Sequence, residues 1–374
     1  MDSPIVLGIV SYSVFPARMG GQKCVQGFYE QLAKEAKLIL AVAKNNQTDT
    51  IPGAQIENFL FDHWKGPLNI IYLFRLIKLI RKHQVGAIII EHSYFGWLGL
   101  LLRWLTGTPF VIRSHNIEAH RFRDMQRLFW KTYHSYERYV HRKANHSFFI
   151  TIEDLNYAIS SWDLKPENCT MITYGVKQET NIDTSKPVLR KRIMEYFKIP
   201  NHNLLFLFNG SLNYTPNTDA LHIIVYELLP RLREKKLPFT IFICGSNLST
   251  QWEHVLQQQP EIIYCGFVDD INVFMIGTDC SINPVTLGGG IKTKLVEALA
   301  CHQTVITTAT GVKGLLPGLI GEKVKVVPDY DWTVFANTMS NLKPYQSSMT
   351  PNAFFEHHNW GNIVAKALVS LRHL

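Results

Sequence analysis

A glycine-rich stretch in the second half of the chain has the residue types of a phosphate-binding turn. Residues 284–300 have the sequence PVTLGGGIKTKLVEALA, and they follow a short apolar strand pattern at Cys280 to Asn283. Glycines let backbone N–H groups approach a ligand, and the helix that begins here adds unpaired N–H groups and a positive dipole end. Lys292 and Lys294 add positive charge. The stretch therefore predicts a diphosphate site.

Glu297 completes the pattern, because it lies three residues after Lys294 and shares its helix face. A carboxylate at this position is suited to accept hydrogen bonds from sugar hydroxyls. The alternative is a glycine-rich turn needed only for packing, since such turns are common in α/β proteins. The predicted ligand contacts are Gly288, Gly289, Gly290, Ile291, Lys292 and Thr293.

The first half of the chain alternates strand and helix patterns, which predicts a parallel sheet covered on both faces. Its predicted strands are Ile5 to Val10, Leu38 to Ala43, Ala87 to Glu91, Pro109 to Ile112 and Phe148 to Thr151. Loops at the carboxyl ends of such strands form a ligand crevice. The residues just past these ends are Gly20, Gly21, His92, His115, Asn116 and Glu118. The first loop lacks GxGxxG, so a dinucleotide site is unsupported.

The second half repeats this plan after a linker predicted at residues 173–187. Asn209, Gly210 and Ser211 follow its first strand, and Asn217 is predicted to cap the next helix, which runs to about Arg233. The predicted strands are Leu204 to Phe208, Phe239 to Cys244, Ile262 to Cys265, Cys280 to Asn283, Thr304 to Thr308 and Val324 to Val327.

Length and composition exclude several classes of protein. The 374 residues are 46% hydrophobic and 18% charged, which is typical of a globular chain of two domains. No signal-peptide pattern and no apolar run of membrane-spanning length occurs. Six widely spaced cysteines match no zinc motif, so we expect no metal and a reducing, cytoplasmic location. The net charge of +8 predicts an anionic partner.

Two basic, aromatic stretches are candidates for contact with an anionic membrane. Residues 64–82 (WKGPLNIIYLFRLIKLIRK) contain a helix predicted from about Leu68 to Lys82, and residues 120–143 belong to a long helix predicted to end at about Lys143. Basic amphipathic helices of this kind lie on lipid surfaces. The alternative is an ordinary amphipathic helix that covers the sheet. Neither stretch has a nucleic-acid-binding signature, so no nucleic-acid partner is expected.

The motifs, taken in order, resemble the retaining glycosyltransferases of the GT-B fold, family 4 (glycosyl transferases group 1). The second half carries Asn209-Gly210-Ser211, Gly245, Gly266-Phe267-Val268, the 284–300 stretch and Gly311-Val312-Lys313-Gly314. The first half carries the glycine pair and His115-Asn116-Ile117-Glu118. Trp360 and the last helix resemble the segment that crosses back to the N-terminal domain.

The resemblance implies two Rossmann-like domains whose parallel sheets face each other across a cleft. It places the acceptor-binding domain at residues 1–178 with the helix 355–374, and the donor-binding domain at residues 179–354. It implies a hexosyltransferase that needs no metal and no cofactor. The enzyme would move a sugar from a UDP- or GDP-linked donor to a saccharide or lipid-linked acceptor in surface polysaccharide synthesis, in the cytoplasm or on the inner face of the membrane.

The resemblance also assigns roles to residues. His115, Lys294 and Glu297 would be catalytic, and Glu297 matches the second glutamate of the family's E-x7-E motif. Gly289 stands where the first glutamate belongs, and Ser211 and Asn213 stand where a basic pair is usual; we expect Lys292 and Lys294 to compensate. The remaining donor contacts would be Gly20, Gly21, Asn209, Gly210, Ser211 and residues 288–293, and the acceptor side would be His92, Asn116 and Glu118.

Two other functions are compatible with parts of this pattern, and a third is not. A non-catalytic nucleotide-sugar-binding protein would explain the missing first glutamate, and a nucleotide-sugar epimerase shares the two-domain plan. The crossing helix and the 284–300 motif favour a transferase over an epimerase. A kinase-like P-loop does not fit, because it requires GxxxxGK[ST].

Overall fold

The computed structural model describes residues 4–47, 49–179, 182–343 and 349–374. It contains two compact units. The first consists of Met1–Gly175, Gly289–Ile291 and His357–Leu374, and the second consists of Val176–Gly288 and Lys292–Glu356. The predicted domains were 1–178 with 355–374, and 179–354. The two-domain α/β plan is thus confirmed.

The first unit is built on a seven-stranded parallel sheet of order β3-β2-β1-β4-β5-β6-β7. Its central strands are almost entirely apolar because helices cover both faces. The strands are β1 (Ile5–Val10), β2 (Lys37–Ala43), β3 (Ala54–Leu60), β4 (Ala87–Glu91), β5 (Phe110–Ser114), β6 (His146–Phe149) and β7 (Cys169–Met171).

The helices of the first unit follow its strands, and the last helix of the chain joins them. They are α1 (Gly20–Glu35), α2 (Leu73–His83), α3 (Gly96–Thr106), α4 (Glu118–Asp124), α5 (Trp130–Lys143) and α6 (Ile152–Trp162). The final helix, numbered α16 below, buries Val364 and Leu368 against Phe28 and Leu32 of α1. Trp360 lies so close to Gly27 that a Cβ there would overlap its ring. The predicted return of the C-terminal helix to the first domain is therefore confirmed.

The second unit is built on a six-stranded parallel sheet of order β10-β9-β8-β11-β12-β13. The strands are β8 (Leu204–Asn209), β9 (Phe239–Cys244), β10 (Ile262–Gly266), β11 (Cys280–Asn283), β12 (Thr304–Thr308) and β13 (Val324–Val327). The remaining helices are α7 (Ile182–Phe197), α8 (Thr215–His222), α9 (Leu229–Glu234), α10 (Thr250–Gln257), α11 (Asn272–Gly277), α12 (Thr293–Ala300), α13 (Pro317–Ile320), α14 (Trp332–Ser340), α15 (Asn352–His357) and α16 (Trp360–Arg372).

Four local predictions were wrong. The helix predicted up to Lys143 is interrupted between α4 and α5, where Gln126 has a left-handed backbone with φ of 56°. The predicted linker ends early, because α7 begins at Ile182. The helix predicted for residues 68–82 begins as a 3-10 helix, His63–Tyr72, before α2. Tyr214, and not Asn217, is the N-cap of α8.

In the part of the chain that the structure describes, no helix is both long and apolar enough to cross a membrane. All six cysteines are free thiols.

Candidate functional site

A buried ionic group lies where the strand order of the first sheet reverses. Ligands of open α/β sheets bind outside the carboxyl ends of strands at such a point. Glu91 ends β4, and Arg113 lies on the neighbouring strand β5. Arg113 Nη1 donates to both carboxylate oxygens of Glu91 at 3.1 Å, and its Nη2 donates to the Cys24 carbonyl. The guanidinium group also covers the ring of Phe28 at 4.3 Å.

This ion pair positions His115, one of the predicted catalytic residues. His115 Nε2 lies 2.7 Å from Glu91 Oε2, and the histidine is 7% exposed. Burial and the neighbouring His92 lower the pKa of His115 to about 4. A neutral His115 therefore carries its proton on Nε2, where it donates to Glu91, and presents Nδ1 as an acceptor.

Glu91 stays ionised despite complete burial. Burial works to raise its pKa, but the charge of Arg113 and the hydrogen bond from His115 outweigh it and lower the pKa to about 2. At neutral pH the group therefore consists of one carboxylate, one guanidinium and one neutral imidazole.

A second polar group, built on His92, stacks against the first. The rings of His92 and His115 are 4.2 Å apart at an angle of 29°. His92 Nδ1 lies 3.2 Å from Glu118 Oε1, and its Nε2 lies 3.1 Å from the Tyr12 hydroxyl. Glu118 also accepts from Tyr94 and pairs with Arg121. The structure thus brings the predicted residues His92, His115 and Glu118 together.

Glu137, which the sequence did not indicate, fixes the backbone of Glu118. Glu137 accepts the backbone N–H groups of Glu118 and Ala119 at 3.0 Å each, at the first turn of α4. Ser93 donates a third hydrogen bond to it. Burial raises the pKa of Glu137 to about 8. The two buried glutamates therefore have opposite tendencies, because only Glu118, whose pKa is about 2, has cationic neighbours.

The other predicted residues of the first unit lie at the start of α1 and in the loop after β5. Gly20 and Gly21 are the first residues of α1. A Cβ at Gly21 would meet no heavy atom within 4 Å. Asn116 follows His115, and its carbonyl accepts the hydroxyl of Ser114.

In the second unit, Lys294 lies beside the carboxyl end of β8. Its Nζ donates to Asn217 Oδ1 at 2.9 Å and lies 4.3 Å from the centre of the Phe208 ring. Asn217 in turn donates to the Ser211 carbonyl at 2.8 Å. Burial and the charge of Lys292 lower the pKa of Lys294 to about 7. An anion that binds beside this ammonium group would stabilise its charged form.

Glycines shape the backbone around this lysine. Gly210 has φ of 151°, and a Cβ there would overlap the amide of Asn217. A Cβ at Gly245 would overlap the carbonyl oxygen of Gly210. Gly288, with φ of 85°, lies against Tyr214 and Pro216. These positions have no room for a side chain, so the close packing of the loops after β8, β9 and β11 requires glycine.

The rest of the predicted diphosphate turn is continuous with α12. Lys292 is the N-cap of this helix, and its Nζ donates to the Gly288 carbonyl at 2.8 Å. Thr293 is the first helical residue, and Glu297 lies half-buried one turn later. Asn209 ends β8, and Gly290 and Ile291 precede the N-cap.

Gly289 differs from the other glycines of the turn. Its backbone is outside the left-handed region that Gly288 and Gly290 adopt, and a Cβ there would meet nothing within 4 Å. Neither the backbone nor the available space therefore requires glycine where the family's first glutamate stands.

Over the described ranges, no group of three or more His, Cys, Asp or Glu residues is arranged to hold a metal ion.

Two family models match successive parts of the chain. Residues 22–180 match the model described as Glycosyltransferase Family 4, and residues 203–343 match the model described as Glycosyl transferases group 1. No curated protein matches the chain.

Several solved structures share its fold. The Anabaena protein HepE in complex with UDP and glucose is 13% identical with a TM-score of 0.66, and the alignment covers 99% of this chain and 95% of HepE. Sucrose-phosphate synthase from Thermosynechococcus elongatus is 15% identical with a TM-score of 0.70, and the alignment covers 99% of this chain and 94% of the synthase. WaaG, a glycosyltransferase involved in lipopolysaccharide biosynthesis, is 13% identical with a TM-score of 0.64, and the alignment covers 96% of this chain and 94% of WaaG. With glycosyltransferase domains matched in both of its units, the chain is a glycosyltransferase enzyme of the GT-B fold.

Proposed function

We propose that this enzyme transfers a hexose from a nucleoside-diphosphate donor to a saccharide or lipid-linked acceptor, with retention of anomeric configuration, as a member of family 4. The match of residues 22–180 to the Glycosyltransferase Family 4 model supports the family and the retention that goes with it. The single observation that carries the proposal is the position of Lys294, whose ammonium group lies between Asn217 and Phe208 next to the glycine-containing loops.

The donor diphosphate binds the second unit in this proposal. Its charge is stabilised by Lys294, by Lys292 and by the N–H groups at the start of α12. As the glycosidic bond breaks, the nucleoside diphosphate leaves with negative charge, and preorganised donors stabilise that charge most effectively in a dry site. The two lysines supply positive charge at the leaving group, so we expect no metal requirement. Glu297 accepts the ribose hydroxyls.

Uracil is the base that the comparison with HepE favours. HepE is solved with UDP and glucose and also with UDP-glucose. GDP-linked donors are the second choice, and the sugar itself is left open, because Gly289 replaces the glutamate that contacts it in the family.

The acceptor hydroxyl groups bind the first unit, among His92, His115 and Glu118. Ionised Glu118 and neutral His115 are both able to accept hydrogen bonds from a sugar, while the net charge around them is balanced. WaaG and the lipopolysaccharide outer core galactosyltransferase WaaB support a surface glycan as the product. We place the reaction in the cytoplasm, at the inner face of the membrane.

The test is transfer by the purified enzyme with a panel of UDP- and GDP-linked sugars and lipid-linked or free saccharide acceptors. We expect release of UDP that depends on the acceptor, and a product whose anomeric proton has the same configuration as the donor. Inversion of the anomeric centre would refute retention. Interconversion of donor sugars without transfer would indicate an epimerase instead.

A further inference from the structure

Large apolar side chains are exposed on the 3-10 helix His63–Tyr72 and at the start of α2. This segment follows the carboxyl end of β3. Leu68 is 51% exposed, Ile71 62% and Phe74 83%. Further along, α2 buries Leu76 and Leu79 against the sheet. The sheet-covering face predicted for this stretch is therefore present, and the exposed residues are additional to it.

The turn between α4 and α5 exposes a second apolar group. Met125 is 42% exposed, Leu128 100% and Phe129 51%. This turn also follows the carboxyl edge of the sheet, beyond β5. The fully exposed Leu128 contributes nothing to the packing of the unit. Exposed apolar side chains grouped in this way mark a surface that binds a partner.

The two segments are joined through the residues that follow β4. Gly66 of the 3-10 helix packs so tightly on Phe95 that a Cβ would overlap the ring. Next to Phe95, the ring of Tyr94 lies 6.1 Å from that of Phe122, which lies 5.0 Å from Phe129. The two segments therefore both pack next to Tyr94 and Phe95, close to the His92–Glu118 group.

Positive charge accompanies both segments. Residues 64–82 contain five Lys or Arg residues and no acid, and residues 119–136 contain four Lys or Arg residues and one Asp. The exposed cations near the apolar side chains are Lys65, Arg75, Lys78, Arg123, Arg127 and Lys131. Arg75 pairs with Glu57 and Arg123 with Asp124, so Lys78, Arg127 and Lys131 carry most of the available charge.

We propose that these two segments form a docking surface for an anionic phospholipid bilayer, with Leu68, Ile71, Phe74, Met125, Leu128 and Phe129 entering the headgroup region and the cations contacting lipid phosphates. Apolar tips flanked by Lys and Arg are the combination that binds the surface of such a bilayer. A bound bilayer presents lipid-linked acceptors directly to the neighbouring His92–Glu118 group.

Two other partners fit the surface less well. A two-fold dimer through this face would place equal basic patches opposite each other. A nucleic acid would use the cations and aromatic rings, but it offers no apolar environment for Leu128 or Ile71.

Vesicle co-sedimentation tests the proposal without donor or acceptor, so its outcome is independent of the transfer reaction. The intact protein is mixed with vesicles of phosphatidylglycerol and phosphatidylcholine in equal parts, or of phosphatidylcholine alone. We expect binding to the anionic vesicles that weakens with salt, and little binding to the neutral vesicles.

Matched variants locate the contact. Leu128→Ser combined with Phe129→Ser should weaken binding to anionic vesicles at least tenfold, and Arg127→Gln combined with Lys131→Gln should weaken it several-fold per charge. Trp104→Ser is the control, because Trp104 is 80% exposed near the other end of α3. Circular dichroism shows that each variant is folded.

Three results would overturn the proposal. The first is absence of binding to anionic vesicles by the wild-type protein. The second is a Trp104→Ser variant that loses binding to anionic vesicles while the Leu128→Ser, Phe129→Ser variant keeps it. The third is concentration-dependent dimerisation in solution that the same double variant abolishes, which would assign the surface to a second copy of the chain.

Discussion

The two units bury their ion pairs at opposite edges of their sheets. In the first unit, Arg113 and Glu91 are fully buried at the carboxyl edge, beside the histidines. In the second unit, the buried pair of Arg190 and Asp279 lies at the amino edge, where Asp279 precedes β11 and also accepts the N–H of Leu205. The carboxyl edge of the second sheet instead has Lys294, whose ammonium group contacts an amide oxygen and a ring.

This difference indicates which ligand each edge is suited to bind. Balanced charge with several acceptors, as in the first unit, favours neutral hydroxyl groups, because an anion would meet the carboxylates of Glu91 and Glu118. Cationic charge next to glycine-rich loops, as in the second unit, favours an anion. In the proposed function, the two edges therefore divide the recognition of acceptor and donor between the units.

The largest expected effects come from breaking the two buried ion pairs, which should both lower stability but differ in their effect on turnover. Glu91→Ala and Asp279→Ala should each lower the free energy of unfolding by about 3–5 kcal/mol, because each leaves a buried guanidinium group without its carboxylate. In the folded fraction, only Glu91→Ala should lose turnover, since His115 loses the acceptor that orients it. Denaturant unfolding and turnover per folded molecule measure both quantities.

Glu57→Ala provides the surface control, because Glu57 pairs with the exposed Arg75. It should cost no more than about 1 kcal/mol of unfolding free energy. Equal loss of turnover in Glu91→Ala and Asp279→Ala would show that stability alone, and not the place of the ion pair, governs activity.

Lys294→Ala tests the cationic edge directly. Removal of one preorganised donor from a leaving group lowers turnover by about 10²–10³-fold, and the half-buried lysine contributes little to folding. Turnover is measured at saturating donor, with thermal unfolding as the control for folding. A variant with the wild-type rate would exclude Lys294 from the stabilisation of the diphosphate.

Glu297→Ala should have a smaller effect, confined to donor affinity. Loss of a charged acceptor for two hydroxyl groups should weaken UDP binding by roughly 1.5 kcal/mol, or about tenfold. Calorimetric titration with UDP measures the change, and titration with inorganic diphosphate, which lacks ribose, serves as the matched ligand. If UDP affinity is unchanged, Glu297 is an ordinary residue of the helix surface.

The sequence predicted the buried strands well because short continuous apolar runs in an α/β protein usually form the central strands of a parallel sheet. β1, β4, β9, β11, β12 and β13 have the predicted bounds. The strand β3 was missed because it lies at the sheet edge and carries Gln55, Glu57 and Asn58 among its apolar residues. The break at Gln126 interrupts an apolar and basic pattern that continues through it, so no local signal marks it.

The candidate site was predictable only where residues lie in loops. His92, His115 and Glu118 follow strand ends, and this position indicated them. Glu91 and Arg113 lie inside predicted or observed strands, and their pairing depends on the register between β4 and β5. The one available signal was a charged residue at the same end of two apolar strands. Glu137 gave none, because its partners are backbone N–H groups of another helix.

The most direct test of the division between the units is the pH dependence of UDP affinity. Burial and Lys292 lower the pKa of Lys294 to about 7, and a bound diphosphate should raise it. Binding above pH 7 then requires uptake of a proton, so UDP affinity should fall by up to tenfold per pH unit as the pH rises above 7. Lys294→Met should bind UDP weakly, with no such fall. Wild-type affinity that stays constant between pH 7 and 9, or a Lys294→Met variant with the same pH profile, would contradict the assignment of this edge to the donor diphosphate.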